Sequence, residues 1–319
     1  MRRAFLLVCL LGAGALAPAA GADRVVTSPG KVRALARSGY SVAFLSAPEK
    51  GHCGPSVELW DLAGRGVWRL GRHTDRLCAS KPSTGNGITS VAVAGNRAVW
   101  LAYAGGNDRD WILYTATTTR PTERQLTFRT VDVDAPPPIV LGTASQSVIP
   151  YALGSSVRVI AADGRRLYTW RAPGQVTNLT AYGSEVAVFV RGGRCFVLES
   201  SGAVAHTYAF RPGSVQQFAL GGRGLVVQLP GGRIEVRRGA SIHRFSISPQ
   251  ARMLDYAGNI LLYRIGNSVH GRFLWTGKDR VVRHATLAVV ETNGMSYARG
   301  DRVYSIAWVT LTSAISPPG

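Results

Sequence analysis

Charge is scarce in this chain, and negative charge is scarcest. Asp, Glu, Lys and Arg make up 17% of its 319 residues, with 18 acids set against 37 Lys plus Arg. Lysine is nearly absent: positions 31, 50, 81 and 278 hold all of it, so arginine carries the net +19. Hydrophobic residues reach 46%, which excludes wholesale disorder. Past residue 22 no apolar run approaches the ~18 residues of a membrane-spanning helix. No segment carries a convincing helical pattern. Enzyme signatures are missing too, with no Gly-x-Ser-x-Gly elbow and no His-Glu-x-x-His. The stretch from Gly271 to Gly277-Lys278 resembles a phosphate loop superficially. It has one residue too many between its glycines, Asp279 where Ser or Thr belongs, and strand-like flanks.

What the chain has in surplus is turn residues, 37 Gly and 16 Pro without a collagen period. Its opening reads as a secretory signal. Met1-Arg2-Arg3 is a basic start, an apolar stretch runs from Ala4 to Leu16, and Ala20-Gly21-Ala22 is a small-x-small cleavage site. The expected domains are therefore a signal peptide at 1–22 and one domain at 23–319. Loss of Arg2 and Arg3 takes the charge from +19 to +17. The expected location is secreted, periplasmic or cell-envelope.

The remainder repeats one unit of four short apolar runs separated by turns. The first turn of successive units reads Ser38-Gly39, Gly95-Asn96, Ser145-Gln146, Gly183-Ser184, Gly221-Gly222, Gly258-Asn259 and Asn293-Gly294. Glycine and asparagine tolerate the positive φ of two-residue hairpins, so Ser145-Gln146 is the weak copy. The second runs, such as Val42 to Ser46 and Val186 to Val190, are almost continuously apolar, as strands covered on both faces are. Pro150 disturbs the third of them. Seven such units predict an all-β fold: a seven-bladed β-propeller of four-stranded antiparallel blades. A β-sandwich or two smaller β domains are the alternatives. The last unit lacks its own fourth strand. Arg24 to Ser28 resembles the fourth runs elsewhere and is expected to close the last blade, although Ala314 to Pro317 resembles a blade exit and offers a second way to do so.

This pattern, with Val57-Glu-Leu-Trp-Asp61 ending one third strand, resembles the WD40-like and TolB-like propellers of exported bacterial proteins. The resemblance implies a fold and no particular activity.

In a four-strand meander, the second-to-third and the fourth-to-next-blade connections leave from one face, and both hairpin turns leave from the other. All long insertions fall in the first class, at residues 47–56, 71–87, 104–109 and 129–137, within the first two units. That rim is the expected binding site, with Arg69, Arg72, His73, Arg76, Asp108, Asp110, Asp132 and Asp134 as its candidate residues. Cys53 and Cys78 sit in two insertions, and export predicts a disulfide between them. A zinc site with His52 and His73 is the alternative, at a spacing that matches no common pattern. Cys195, in an apolar strand, is expected to be a buried free thiol. No catalytic residue, metal or cofactor is predicted.

The expected function is a non-enzymatic binding or scaffold propeller of the cell envelope, monomeric, holding a protein or an anionic polymer through the inserted loops. Export argues against nucleic acid as the partner despite the basic charge, and leaves peripheral contact with a membrane surface as another use of it. The alternative function is a propeller hydrolase or lyase with its site on the axis.

Overall fold

In a computed structural model that describes residues 23–48, 54–64, 66–71 and 85–316, the chain folds into seven four-stranded antiparallel sheets. Each blade is a meander. Its first strand lies nearest the axis and packs against the first strands of its neighbours, and blade 7 meets blade 1 to complete the ring. The second strands of six blades are all six residues long: Ser41–Ser46, Val148–Leu153, Glu185–Val190, Gly224–Leu229, Ile260–Ile265 and Gly294–Arg299. Most of their residues are buried because both sheet faces are covered, which is why these runs read as continuously apolar.

The core is distributed between blades. Val148, Val157 and Val159 of blade 3 pack on Leu179, Val186, Val188 and Leu198 of blade 4, and similar apolar layers fill the other seams. Each fully buried Val or Leu contributes roughly 1.5–3 kcal/mol. Polar side chains then pin blade to blade. Gln228 in blade 5 donates to the Ala251 carbonyl at 2.6 Å and accepts the Met253 N–H at 2.7 Å, both in blade 6.

The ring is closed by the strand Arg24–Thr27, which pairs with Arg302–Ala307 as the outermost strand of blade 7. Asp23 anchors it, accepting from Arg283 at 3.0 Å and from the Tyr297 hydroxyl at 2.6 Å. Burial works to raise the Asp23 carboxyl, but the bonds from Arg283 and Tyr297 outweigh it and hold the group below the usual carboxylate range. At the next seam, between blades 7 and 1, Arg37 of blade 1 inserts into blade 7. It donates to Ser296 at 2.9 Å, Ser305 at 2.8 Å and Asn293 at 2.9 Å. Burial pulls its guanidinium down to about 10, and neighbouring Glu291 works against that shift.

One expectation needs correction at the other end of the described chain. Residues Trp308–Ile315 form a helix, where the sequence shows no convincing helical pattern. The segment is only eight residues long, too short for a 3.6-residue periodicity to register, and tertiary packing of Leu311 and Ile315 onto blades 6 and 7 holds it. The alternative, a closing strand near Ala314, falls away, and the expected N-terminal strand closes the ring.

Candidate functional site

Seven first strands converging on one axis leave a cavity of about 290 Å³. Its wall is mostly apolar, with Leu35, Val91, Leu220, Leu254 and Leu287 among its residues, and it is punctuated by Arg37, Asp255 and Glu291 from three consecutive blades. Asp255 lies on the first strand of blade 6, Arg252–Ala257. Its Oδ1 accepts the Tyr256 N–H and its Oδ2 accepts the Val290 N–H of blade 7, each at 2.8 Å. Burial pushes its carboxyl up to about 7 against those two bonds, and Glu291 adds to the rise. Asp255 is enclosed by protein yet faces the cavity. Both oxygens hold backbone, so its evident work is to tie blade 6 to blade 7.

One end of the axis is covered by blade 3, for a reason visible in its sequence. The first strand, Ile139–Leu141, pairs with the second only as far as Tyr151. The next position opposite is Pro150, which accepts the Gly142 N–H at 3.0 Å but has no N–H to return. Beyond it the chain leaves its blade. Thr143 bridges to blade 4, accepting from Ala181 at 3.0 Å and donating to Leu179 at 3.2 Å. Gly142 is required there, since a Cβ would stand 2.5 Å from the Leu179 Cβ and 2.9 Å from the Leu179 carbonyl oxygen. The turn that follows is held by the Ser145 hydroxyl, which accepts the Val148 N–H at 3.1 Å and donates to the Gly183 carbonyl. Ser38 of blade 1 donates to the Ser145 carbonyl at 3.1 Å, and Gln146 reaches Glu291 of blade 7 at 2.8 Å. The weak turn of the repeat is therefore a bracket between blades 1, 3, 4 and 7.

The opposite face carries the connections between second and third strands and between blades. Here blade 2 departs from the ring. Its second, third and fourth strands are Arg97–Gly105, Asp108–Thr117 and Arg120–Asp132, of 9, 10 and 13 residues. The inserted residues 104–109 and 129–132, expected as loops, instead lengthen the strands. Backbone pairing continues to Asp108 opposite Asp132 because an antiparallel ladder satisfies N–H and C=O groups that a loop would leave to water. Three to four extra residues at ~3.3 Å each project this prong about 10 Å beyond its neighbours. Asp108, Asp110, Asp132 and Asp134 gather at its end, together with Arg109 and Arg129. Asp110 accepts from Thr130 at 2.6 Å, and Asp132 accepts the Asp134 N–H at 2.9 Å. Among the described residues no three His, Cys, Asp or Glu side chains converge as a metal site.

Among the described residues the rest of this face is basic. Arg171 exits blade 3; Arg191, Arg194 and Arg211 stand on the blade 4 connections. Arg233 and Arg252 follow on blades 5 and 6, then Arg299 and Arg302 on blade 7 and Lys31 and Arg33 at the entry to blade 1. All are exposed, and none of them has a carboxylate within ion-pair distance among the described residues. Asp301 is the one exposed acid on that arc among them. The hairpin-turn face is mixed in sign, with Asp61, Asp163, Glu185 and Glu199 among Arg165, Arg166, Arg223 and Arg238.

Of the residues expected on the rim, Arg69 is on the exposed outer strand of blade 1, Gly66–Leu70, opposite the buried Glu58. Arg72, His73, Arg76, Cys53 and Cys78 lie outside the described residues. The four aspartates are brought together by the prong. Cys195 is free and buried, and burial raises its thiol well above the ordinary value. Sequence reasoning missed Asp255 and Arg37. It also missed the gathering of arginines on one face. That last signal lay in the position of each arginine relative to the turns.

No family model and no curated protein matches the sequence. Solved structures do match in shape. A chain of the mitotic checkpoint complex aligns with a TM-score of 0.55 at 11% identity, covering 89% of this chain and 94% of that one. PorZ, a bacterial surface component of the type-IX secretion system of Porphyromonas gingivalis, aligns with a TM-score of 0.53 at 14% identity. There the match covers 89% of this chain but 39% of PorZ, so this chain spans well under half of that protein. The likeness is one of fold.

Proposed function

We propose that this protein is an exported, non-enzymatic binding propeller of the cell envelope that holds a protein or an anionic polymer on the face bearing its second-to-third and blade-to-blade connections. One observation carries the reading: the two faces of the ring differ in charge and relief. Among the described residues the connection face has a basic arc without ion pairs and the blade 2 prong, while the hairpin-turn face is mixed in sign. A ring whose role was only to be stable would gain nothing from segregating unpaired arginines, because like charges gathered on one face repel. The axial cavity supports catalysis less well, because both oxygens of Asp255 are engaged by backbone N–H groups. The basic sequence start read as a signal supports export.

Site-specific photo-crosslinking in intact cells tests this. A crosslinker at Gly192 or Asp301 is expected to capture a partner from the envelope fraction, and one at Gly164 or Glu199 on the hairpin-turn face is not. Capture from the second pair alone, or equally from both, overturns the assignment of the face.

A further inference from the structure

We infer that the basic arc of the connection face is a track for a linear, phosphate-bearing polyanion laid around the ring from blade 3 towards blade 1. This rests on the proposed binding face and names the class of ligand it takes. The arc is built from separate turns, each presenting one or a few exposed guanidinium groups: Arg171, then Arg191, Arg194 and Arg211, then Arg233 and Arg252. A guanidinium offers a rigid fork of donors matched to the paired oxygens of phosphate, and arginine is more weakly hydrated than lysine. The near-exclusion of lysine is what such a surface requires. Apart from the Arg233 Nε, which donates to the Pro230 carbonyl at 3.3 Å, the absence of ion pairs leaves those donors to solvent, whereas Arg237, Arg272 and Arg283 in the blade seams are engaged by Glu235, Asp279 and Asp23.

The shape of the arc selects a chain over a plane or a rod. Blade 2 interrupts the ring with a prong about 10 Å tall, whose tip sets Asp108, Asp110, Asp132 and Asp134 against Arg109 and Arg129 and is net negative. That height exceeds the ~8 Å screening length at physiological ionic strength, so an anionic bilayer approaching the face meets the aspartates first and is held off the arginines. A flexible polymer lies beside the prong and bends with the arc. Duplex DNA, with a persistence length of about 50 nm, cannot follow a curve of this size.

The probes are long-chain inorganic polyphosphate, tripolyphosphate, duplex DNA of equal charge, and vesicles of phosphatidylglycerol in phosphatidylcholine, titrated against residues 23–319 at several salt concentrations. Long polyphosphate is expected to bind at 0.15 M salt, at least tenfold more tightly than tripolyphosphate, and more tightly than duplex DNA or vesicles. Changing Arg191, Arg194, Arg211 and Arg233 to Ser is expected to weaken it at least tenfold and to flatten the salt dependence by about 3 in log–log slope, one phosphate contact each. Changing Arg165, Arg166, Arg223 and Arg238 to Ser on the hairpin-turn face is expected to cost less than threefold. Equal loss from both sets, equal affinity for tripolyphosphate, or vesicles or duplex DNA bound as tightly as the long polymer, would overturn the track. If polyphosphate fails while face-specific crosslinking to a protein succeeds, the track is wrong and the binding face stands.

Discussion

Asp255 makes the stability of this ring depend on pH in the direction opposite to most carboxylates. Its carboxyl is raised from 3.8 to about 7 because burial penalises the charged form. A group raised on folding contributes stability that is fully present below its unfolded value and is lost as pH climbs through its folded value. The window is therefore pH 4 to 7, with stability falling as the solution becomes less acidic. Three units at 1.36 kcal/mol each set a ceiling of about 4 kcal/mol, and the part lying above pH 5 has a ceiling of about 3 kcal/mol. An effective interior dielectric nearer 20 than 4 lowers both, to about 2 kcal/mol over pH 5 to 8. The comparison is with Asp255→Asn, which cannot ionise. Its Oδ1 still accepts the Tyr256 N–H, but its amide faces the Val290 N–H with a donor, a cost of about 1–2 kcal/mol. Guanidinium chloride unfolding at pH 5, 6, 7 and 8 should find the variant less stable than the wild type at pH 5 and level with it, or more stable, at pH 8. Everything else that titrates cancels in the difference. A gap between the two proteins that stays constant over this range would refute the reasoning, and would mean that Asp255 is ionised throughout.

Two further outcomes follow from the seams. Shortening residues 23–319 to 29–319 strips the outermost strand and the Asp23 anchor from blade 7, and should lower Tm by about 5–10 °C in a thermal melt; an unchanged Tm would mean the ring is held closed elsewhere. Gly142→Ala places a methyl against Leu179 and Pro150 and should destabilise by about 1–3 kcal/mol in denaturant unfolding, whereas Gly213→Ala, in an open turn, should cost less through its positive φ alone.

The repeat was legible in the sequence because blade identity rests on local chemistry. Continuous apolar runs such as Val186 to Val190 need cover on two sides, and Gly39, Gly95, Gly183 and Gly258 supply the positive φ of tight hairpins. Those two signals, repeated seven times, leave few other folds, and the missing last strand pointed to Arg24–Thr27. Even the disturbances were visible as such: Pro150 and Ser145-Gln146 broke the pattern where blade 3 leaves its sheet to bracket the axis. What they did could not be read, because the partners of Ser145 and Gln146, namely Gly183, Ser38 and Glu291, lie far along the chain.

Only the tertiary structure decided where the charges meet. Arginines at 171, 191, 211, 233, 252 and 302 look scattered in sequence, and they share a face because each sits at the same end of its meander. The aspartates at 108 and 132 are twenty-four positions apart and become neighbours through strand register. Asp255 reads as one polar residue in an apolar strand, and its raised pKa exists only because blade 7 closes over it. Local patterns report which strand a residue belongs to. The alignment of those strands around a common axis is a sum over the whole ring, and the binding face and the buried carboxylate both arise from that sum.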